Sequence, residues 1–198
     1  MFWPTNSRQR DVDALASQYF MLGPGALGSS EGRFMTMGTS VTAVIPVDGR
    51  HSERAAEIGR GVCRLLALHG FACVYELSLA NGRRADVAAI SPTGEIWIVE
   101  IKSSLEDFRV DQKWPEYREF CDRLLFAVAP GFPVEVLPDG TGLIIADRFG
   151  GEIARPAPEH RLSGARRKAV TLRLARTAAM RLCAIYDPDA ALELPMRE

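Results

Sequence analysis

The sequence predicts an α/β domain in which a mixed β-sheet carries helices on both faces. Three observations lead there. Apolar residues recur at helical spacing over about residues 52–69 and 164–186, and runs of strand length lie between them. One of those runs, Ile96 to Val99 with Ile101, is apolar on both of its faces. Such a strand needs cover above and below, which a sheet between helices supplies.

Taken in order, "SERAAEIGRGVCRLLALHG" places Ile58, Val62, Leu65, Leu66 and His69 on one helical face, with Ser52 as N-cap and Gly70 as stop. "FACVYELSL", "RRADVAAI" and "EIWIVEIK" read as three strands joined by Asn-Gly and Pro-Thr-Gly turns. "SLEDFRVDQKWPEYREFC" is a helix interrupted near Pro115. "RLLFAVA" and "TGLIIAD" return to strand, and "EIARPA" is a short edge strand. A last helix is expected from about Gly164 to Tyr186, with Val170, Leu174, Ala178, Leu182 and Ile185 facing inward. Residues 1–48 are rich in Gly and Ser and lack apolar periodicity, which predicts a mostly disordered leader with one short helix near Asp11 to Phe20. Met35 and Met37 are alternative starts. The domain is expected over 49–190, followed by a tail at 191–198.

Composition narrows the function. The chain has 198 residues, 47% hydrophobic and 25% charged, as in a soluble globular protein of one domain. No run approaches the roughly 18 to 20 apolar residues that span a bilayer, and "MFWPTNSRQR" lacks the apolar stretch of a secretory signal. A cytoplasmic protein without a membrane partner is expected. Cys63, Cys73, Cys121 and Cys183 form no C-x-x-C pair, and the three histidines are scattered, which disfavours zinc and disulfides. The cysteines should pack as small hydrophobes. A net charge of −1 gives no general attraction to polyanions. Seven basic residues and no acid between Arg161 and Arg181 leave local patches to supply any.

The chemistry concentrates in "RRADVAAISPTGEIWIVEIKSS", residues 83–104. A three-residue loop over Pro92, Thr93 and Gly94 sets Ser91 opposite Glu95, and therefore Asp86 opposite Glu100. The same loop geometry at Gly82 sets Glu76 opposite Asp86, whereas a two-residue Asn-Gly turn sets Leu77 there instead. Lys102 shares the face of Glu100. Facing carboxylates on paired strands repel, so they share protons or hold a cation. Oxygen ligands without His or Cys favour Mg²⁺ or Mn²⁺. A structural ion cluster is the competing account of the same residues. Lysine is nonetheless rare, with three against 21 arginines, so a compact amine beside two acids is a chosen one.

With Ala85 where that motif has proline, this stretch resembles the PD-(D/E)XK nuclease motif. The longer run "GRRADVAAISPTGEIWIVEIKSSLEDFRVDQKWPEYREFCDRLLFAV", with "APEHRLSGARRKAVTLRLAR", resembles the MmcB-like DNA repair proteins of bacteria, over about residues 51–187. The resemblance implies a restriction-endonuclease-like α-β-β-β-α-β core acting in DNA repair. By position, Asp86, Glu100 and the Ile101 carbonyl are implied metal ligands, and Lys102 the catalytic lysine. For a third carboxylate the resemblance offers Glu57, and the register offers Glu76, which is preferred. Some members of the superfamily only bind, so a silent DNA-binding or scaffolding subunit is the rival expectation, and a nuclease acting on RNA a third.

For DNA contact the sequence offers Arg83 and Arg84 at the mouth of the site, then Arg109, Lys113, Trp114 and Tyr117 just beyond it. Arg166, Arg167, Lys168 and Arg173 on the last helix are further candidates. Each set also suits an ordinary solvated surface, and Trp114 suits packing. No base-reading module is visible, so DNA structure, damaged or branched, is the expected preference, with other repair proteins as possible partners.

Overall fold

The computed structural model describes residues 53–111 and 113–187. The leader with its short helix, the alternative starts, the Ser52 cap and the 191–198 tail lie outside these residues.

Helix α1 (Glu53–Leu68) forms where Ile58, Val62, Leu65 and Leu66 recur on one face, and all four are buried. Gly70, at φ 79°, ends it. Phe71 N–H donates to Leu66 O at 2.9 Å and Gly70 N–H to Ala67 O at 3.0 Å, which satisfies the last carbonyls. His69, expected on the buried face, is exposed, because the helix stops one residue earlier.

Strands β1 (Ala72–Ser78), β2 (Arg84–Ile90) and β3 (Ile96–Lys102) make an antiparallel meander. Both hairpins adopt the three-residue geometry. Leu79 N–H donates to Arg83 O at 2.7 Å with Gly82 at φ 78°, and Ser91 N–H donates to Glu95 O at 2.9 Å with Gly94 at φ 83°. The two-residue alternative is excluded. Tyr75 pairs with Val87 and Val87 with Val99, the register the turns predict.

Helix α2 (Leu105–Val110) follows, capped by Ser104 Oγ, which accepts from Asp107 N–H at 3.1 Å. The expected break is present: Pro115 lies at the start of a 3-10 segment, Trp114–Phe120, where its missing N–H costs nothing. Strands β4 (Arg123–Val128) and β5 (Gly142–Ala146) run parallel to β3, and β6 (Gly151–Arg155) is the predicted edge strand, antiparallel to β5. The six strands form one mixed sheet in the order β1-β2-β3-β4-β5-β6.

Helices cover both faces, as the doubly apolar β3 requires. On one face, α1 packs Ile58, Val62 and Leu66 against Val87, Val99, Leu125 and Ile144. On the other, Ile98 and Leu124 meet Tyr117, Phe120, Val170 and Leu174, while Phe126 meets Phe108 and Trp114. Each such side chain contributes about 1.5–3 kcal/mol when fully buried. Trp114 is thus a packing residue, edge-on to Phe126 with ring centroids 5.7 Å apart.

Helix α3 (Gly164–Tyr186) has the predicted bounds, with Ser163 as its cap, but only part of the predicted inward face. Val170 and Leu174 are buried, whereas Ala178, Leu182 and Ile185 are exposed. The helix lies along β1: Arg173 donates to Ser78 O at 3.1 Å, and Arg181 donates to the carbonyls of Tyr75 and Glu76. Beyond Arg181 the helix keeps its apolar residues exposed although β1 continues to Ala72, so it is not packed on the sheet there. Cys183 rides on the uncovered part and is exposed, contrary to the expectation that every cysteine packs inside. The four thiols are free.

Candidate active site

A cavity of about 310 Å³ opens at the end of the sheet where β2 starts and β3 stops. Arg84, Asp86, Glu100, Ile101, Lys102 and Tyr117 line it, with Ala55 from α1 and Asp107 and Asp111 from the α2 region. Local structure explains why two acids gather here. The β2–β3 ladder ends at the Val87–Val99 pair, and beyond it side chains replace the missing rungs. Ile101 N–H donates to Asp86 Oδ2 at 2.7 Å, and Asp86 N–H donates to Glu100 Oε1 at 3.3 Å. Asp86 and Glu100 thus reach across to each other's strand and face one cavity.

The electrostatics are severe. Glu100 and Lys102 are 3% and 4% exposed, at the end of the otherwise apolar strand β3. Burial, then the neighbouring charge of Asp86, pushes the Glu100 carboxyl well above the usual carboxylate range. Lys102 Nζ lies 2.5 Å from Asp111 Oδ2 and 3.9 Å from Glu100 Oε2. Burial opposes its charge, but the bond to Asp111 and the acids around it outweigh that and hold the amine above its ordinary pKa. The same bond, against burial, draws Asp111 below its ordinary value.

Glu76 does not join this cluster. The register does place it opposite Asp86, but it adopts φ 51°, the left-handed region, and drops out of the ladder between Tyr75 and Leu77. Its carboxylate pairs with the Arg84 guanidinium instead, which leaves it outside the cavity lining. A left-handed residue with a Cβ costs about 1–2 kcal/mol. The ion pair and the Arg181 bonds to the Tyr75 and Glu76 carbonyls offset it. Glu57 is also absent from the lining, where α1 presents Ala55.

Several expected DNA contacts have protein partners. Arg83 makes a two-pronged bond to Glu116, both distances 2.9 Å. Arg167 clasps Asp122 at 2.6 and 2.7 Å and also donates to Gly94 O, so it is a structural residue. Asp122 additionally accepts from Ile96 N–H at 2.8 Å and Leu162 N–H at 3.0 Å, tying β3, β4 and α3 together. Arg166 stacks over Phe120 and pairs with Glu119 at 3.5 Å. Tyr117 is buried in the cavity wall and donates its hydroxyl to Arg84 O at 3.0 Å. Arg109, Lys113 and Lys168 are exposed.

Two cavity residues escaped the sequence reading. Asp107 donates its N–H to Ser104 Oγ at 3.1 Å, the contact that Ser-x-x-Asp spacing hints at as a capping pattern, and its carboxylate accepts from Ser103 N–H at 3.1 Å. Asp111 carried no such signal, because its contact with Lys102 depends on how α2 folds back.

The donor set suits a small hard cation. Asp86, Glu100 and the main chain at Ile101 offer oxygen only, and the desolvated Glu100 lacks a full counter-charge. Among the described residues no three His, Cys, Asp or Glu side chains are gathered to hold a metal. An ion here would therefore keep several waters, as Mg²⁺ does.

Known proteins bear on this geometry. A family model described as DNA repair protein MmcB-like matches residues 43–189. A solved structure, the SPO1766 protein of unknown function from Silicibacter pomeroyi, is 45% identical, with a TM-score of 0.69 over 74% of this chain and 99% of that one. No curated protein matches. Among the described residues no helix is long and apolar enough to cross a membrane.

Proposed function

Because the chain belongs to the MmcB-like family of DNA repair proteins, we propose that its cavity hydrolyses phosphodiester bonds of damaged or branched DNA with Mg²⁺ or Mn²⁺, in the manner of PD-(D/E)XK nucleases. The observation that carries this reading is the Asp86–Glu100–Lys102 cluster at an open cavity, with Glu100 and Lys102 buried and Asp86 half-buried. Two acids and an amine, desolvated at a sheet end where a hydrophobic plug would serve stability better, point to work done on a ligand. Asp86, Glu100 and the Ile101 carbonyl would hold the ion, which would polarise a phosphoryl oxygen.

The chain's own groups have separable tasks. Lys102, kept cationic by Asp111, stabilises charge that builds on the phosphate. Arg84, steadied by Glu76, stands in the cavity wall where a phosphate enters. Tyr117 fixes the start of β2 through the Arg84 carbonyl and walls off water.

One observation favours the rival reading of a silent DNA-binding subunit: Lys102 is already paired with Asp111. Calorimetric titration with Mn²⁺, together with incubation on flap, gapped, forked and crosslinked duplexes, separates the two. The expected result is metal binding and cleavage by the wild type, with cleavage lost in Asp86→Ala and Lys102→Ala while both stay folded. Cleavage that persists in both purified variants overturns the mechanism.

A further inference from the structure

The β5–β6 turn, Asp147 to Gly150, lies at the same end of the sheet as the cavity. Lys102 pairs with Val128 and Val128 with Ile145, so the turn begins two strands across, roughly 10 Å away. It is a tightly held turn. Asp147 N–H donates to Gly150 O at 2.9 Å, and Asp147 Oδ1 accepts from Phe149 N–H at 2.8 Å and Gly150 N–H at 3.1 Å. Arg64 on α1 clamps it from behind, donating to Arg148 O at 2.7 Å and Phe149 O at 3.3 Å. At Gly61, one helical turn earlier, any Cβ would collide with the carbonyls of Asp147 and Gly150. Helix α1 therefore docks directly on the turn backbone.

What this mount presents is an aromatic ring. Phe149 is 70% exposed, and the Arg148 guanidinium sits 4.6 Å from its centroid. Beside it lies a hollow of about 440 Å³ lined by Pro130, Ile145, Phe149 and Gly150, with Asp147 and Glu152 as its acids. Isolated exposed apolar residues are ordinary on a protein surface. Three circumstances set this one apart: a turn held by five hydrogen bonds, a cation on the ring, and placement at the site's own end of the sheet.

We propose that Phe149 is a stacking platform for an unpaired DNA base next to the cleavage site. The inference rests on the functional reading above for the identity of the partner as DNA. Every base offers an aromatic face, and stacking on a rigid ring tolerates any sequence. Arg148 supplies positive charge for the adjoining phosphates, whereas Asp147 and Glu152 keep phosphates out of the hollow and leave it to the base. The platform gives the protein a way to favour gapped or branched DNA over continuous duplex without reading sequence.

The test is fluorescence anisotropy of the full chain in EDTA, with three labelled DNAs: a gapped duplex, the same gap carrying abasic residues, and a continuous duplex. Wild type should bind the base-containing gap most tightly. Phe149→Ala should weaken that affinity about fivefold to a hundredfold, down to that of the abasic gap, and Phe149→Trp should retain it. Equal affinities of wild type and Phe149→Ala, or an equal loss on all three DNAs, overturn the proposal. The assay contains no metal, so a failure of cleavage strikes the hydrolytic reading alone; wild type that binds DNA without regard to Phe149 strikes the platform alone, and wild type that binds none of the three DNAs strikes both.

Discussion

Glu100 is a carboxylic acid almost wholly withdrawn from water, and its acid–base behaviour is the most direct readout of the site. Its folded pKa lies above that of an unfolded glutamate, near 4.3. Between those two values the folded chain holds more protons than the unfolded one, so stability falls as pH rises through that window. At neutral pH the unfolded glutamate ionises more readily than Glu100 does, which costs the fold stability unless a cation meets the carboxylate. The expected outcome is that Glu100→Gln melts at a higher temperature than wild type near pH 7 in EDTA, and that the gap closes toward pH 4. Thermal melts across that range check it. Lys102 and Asp111 do not confuse the comparison near pH 7, because both are charged throughout. At this scale the sequence was informative about Asp86, Glu100 and Lys102 because two turn geometries fixed their register. It misplaced Glu76, since register says which residues face each other but not that one will leave the ladder.

Among the elements, the clasp between Asp122 and Arg167 matters most for stability. It joins the starts of β3 and β4 to α3 by a two-pronged bond, with two main-chain amides on the same carboxylate. Burial opposes ionisation of Asp122, but Arg167 and those amides outweigh it and hold the group below its ordinary value. Removing Asp122 leaves the Ile96 and Leu162 amides and the half-buried Arg167 without their acceptor, which costs about 1–3 kcal/mol. Asp122→Ala should therefore lower urea-unfolding stability by that amount, whereas Lys168→Ala, on the exposed face one residue beyond Arg167, should change it by about 0.5 kcal/mol or less. A basic run in sequence looks like one patch. Arg166 and Arg167 show why that reading fails: helical spacing aims adjacent residues differently, and Glu119 and Asp122 arrive from elsewhere in the chain.

For the whole molecule, the first helix and the β1–β2–β3 meander were legible because Gly70, Gly82 and Gly94 punctuate the chain at positions that need a left-handed backbone. The parallel crossover from β3 to β4 follows from the helical stretch between them. What could not be read was coverage. Periodicity in α3 announces an apolar face, yet nothing local says that its second half meets no packing partner among the described residues.

That mismatch divides one continuous helix into halves of unequal durability. The near half, around Val170 and Leu174, can only open if the domain gives way, while the far half, around Leu182 and Tyr186, is free to unravel by itself. Deuterium uptake followed by mass spectrometry should show amides beyond Arg181 exchanging orders of magnitude sooner than those near Leu174. Uniform protection along the rod would mean that something else shelters its end.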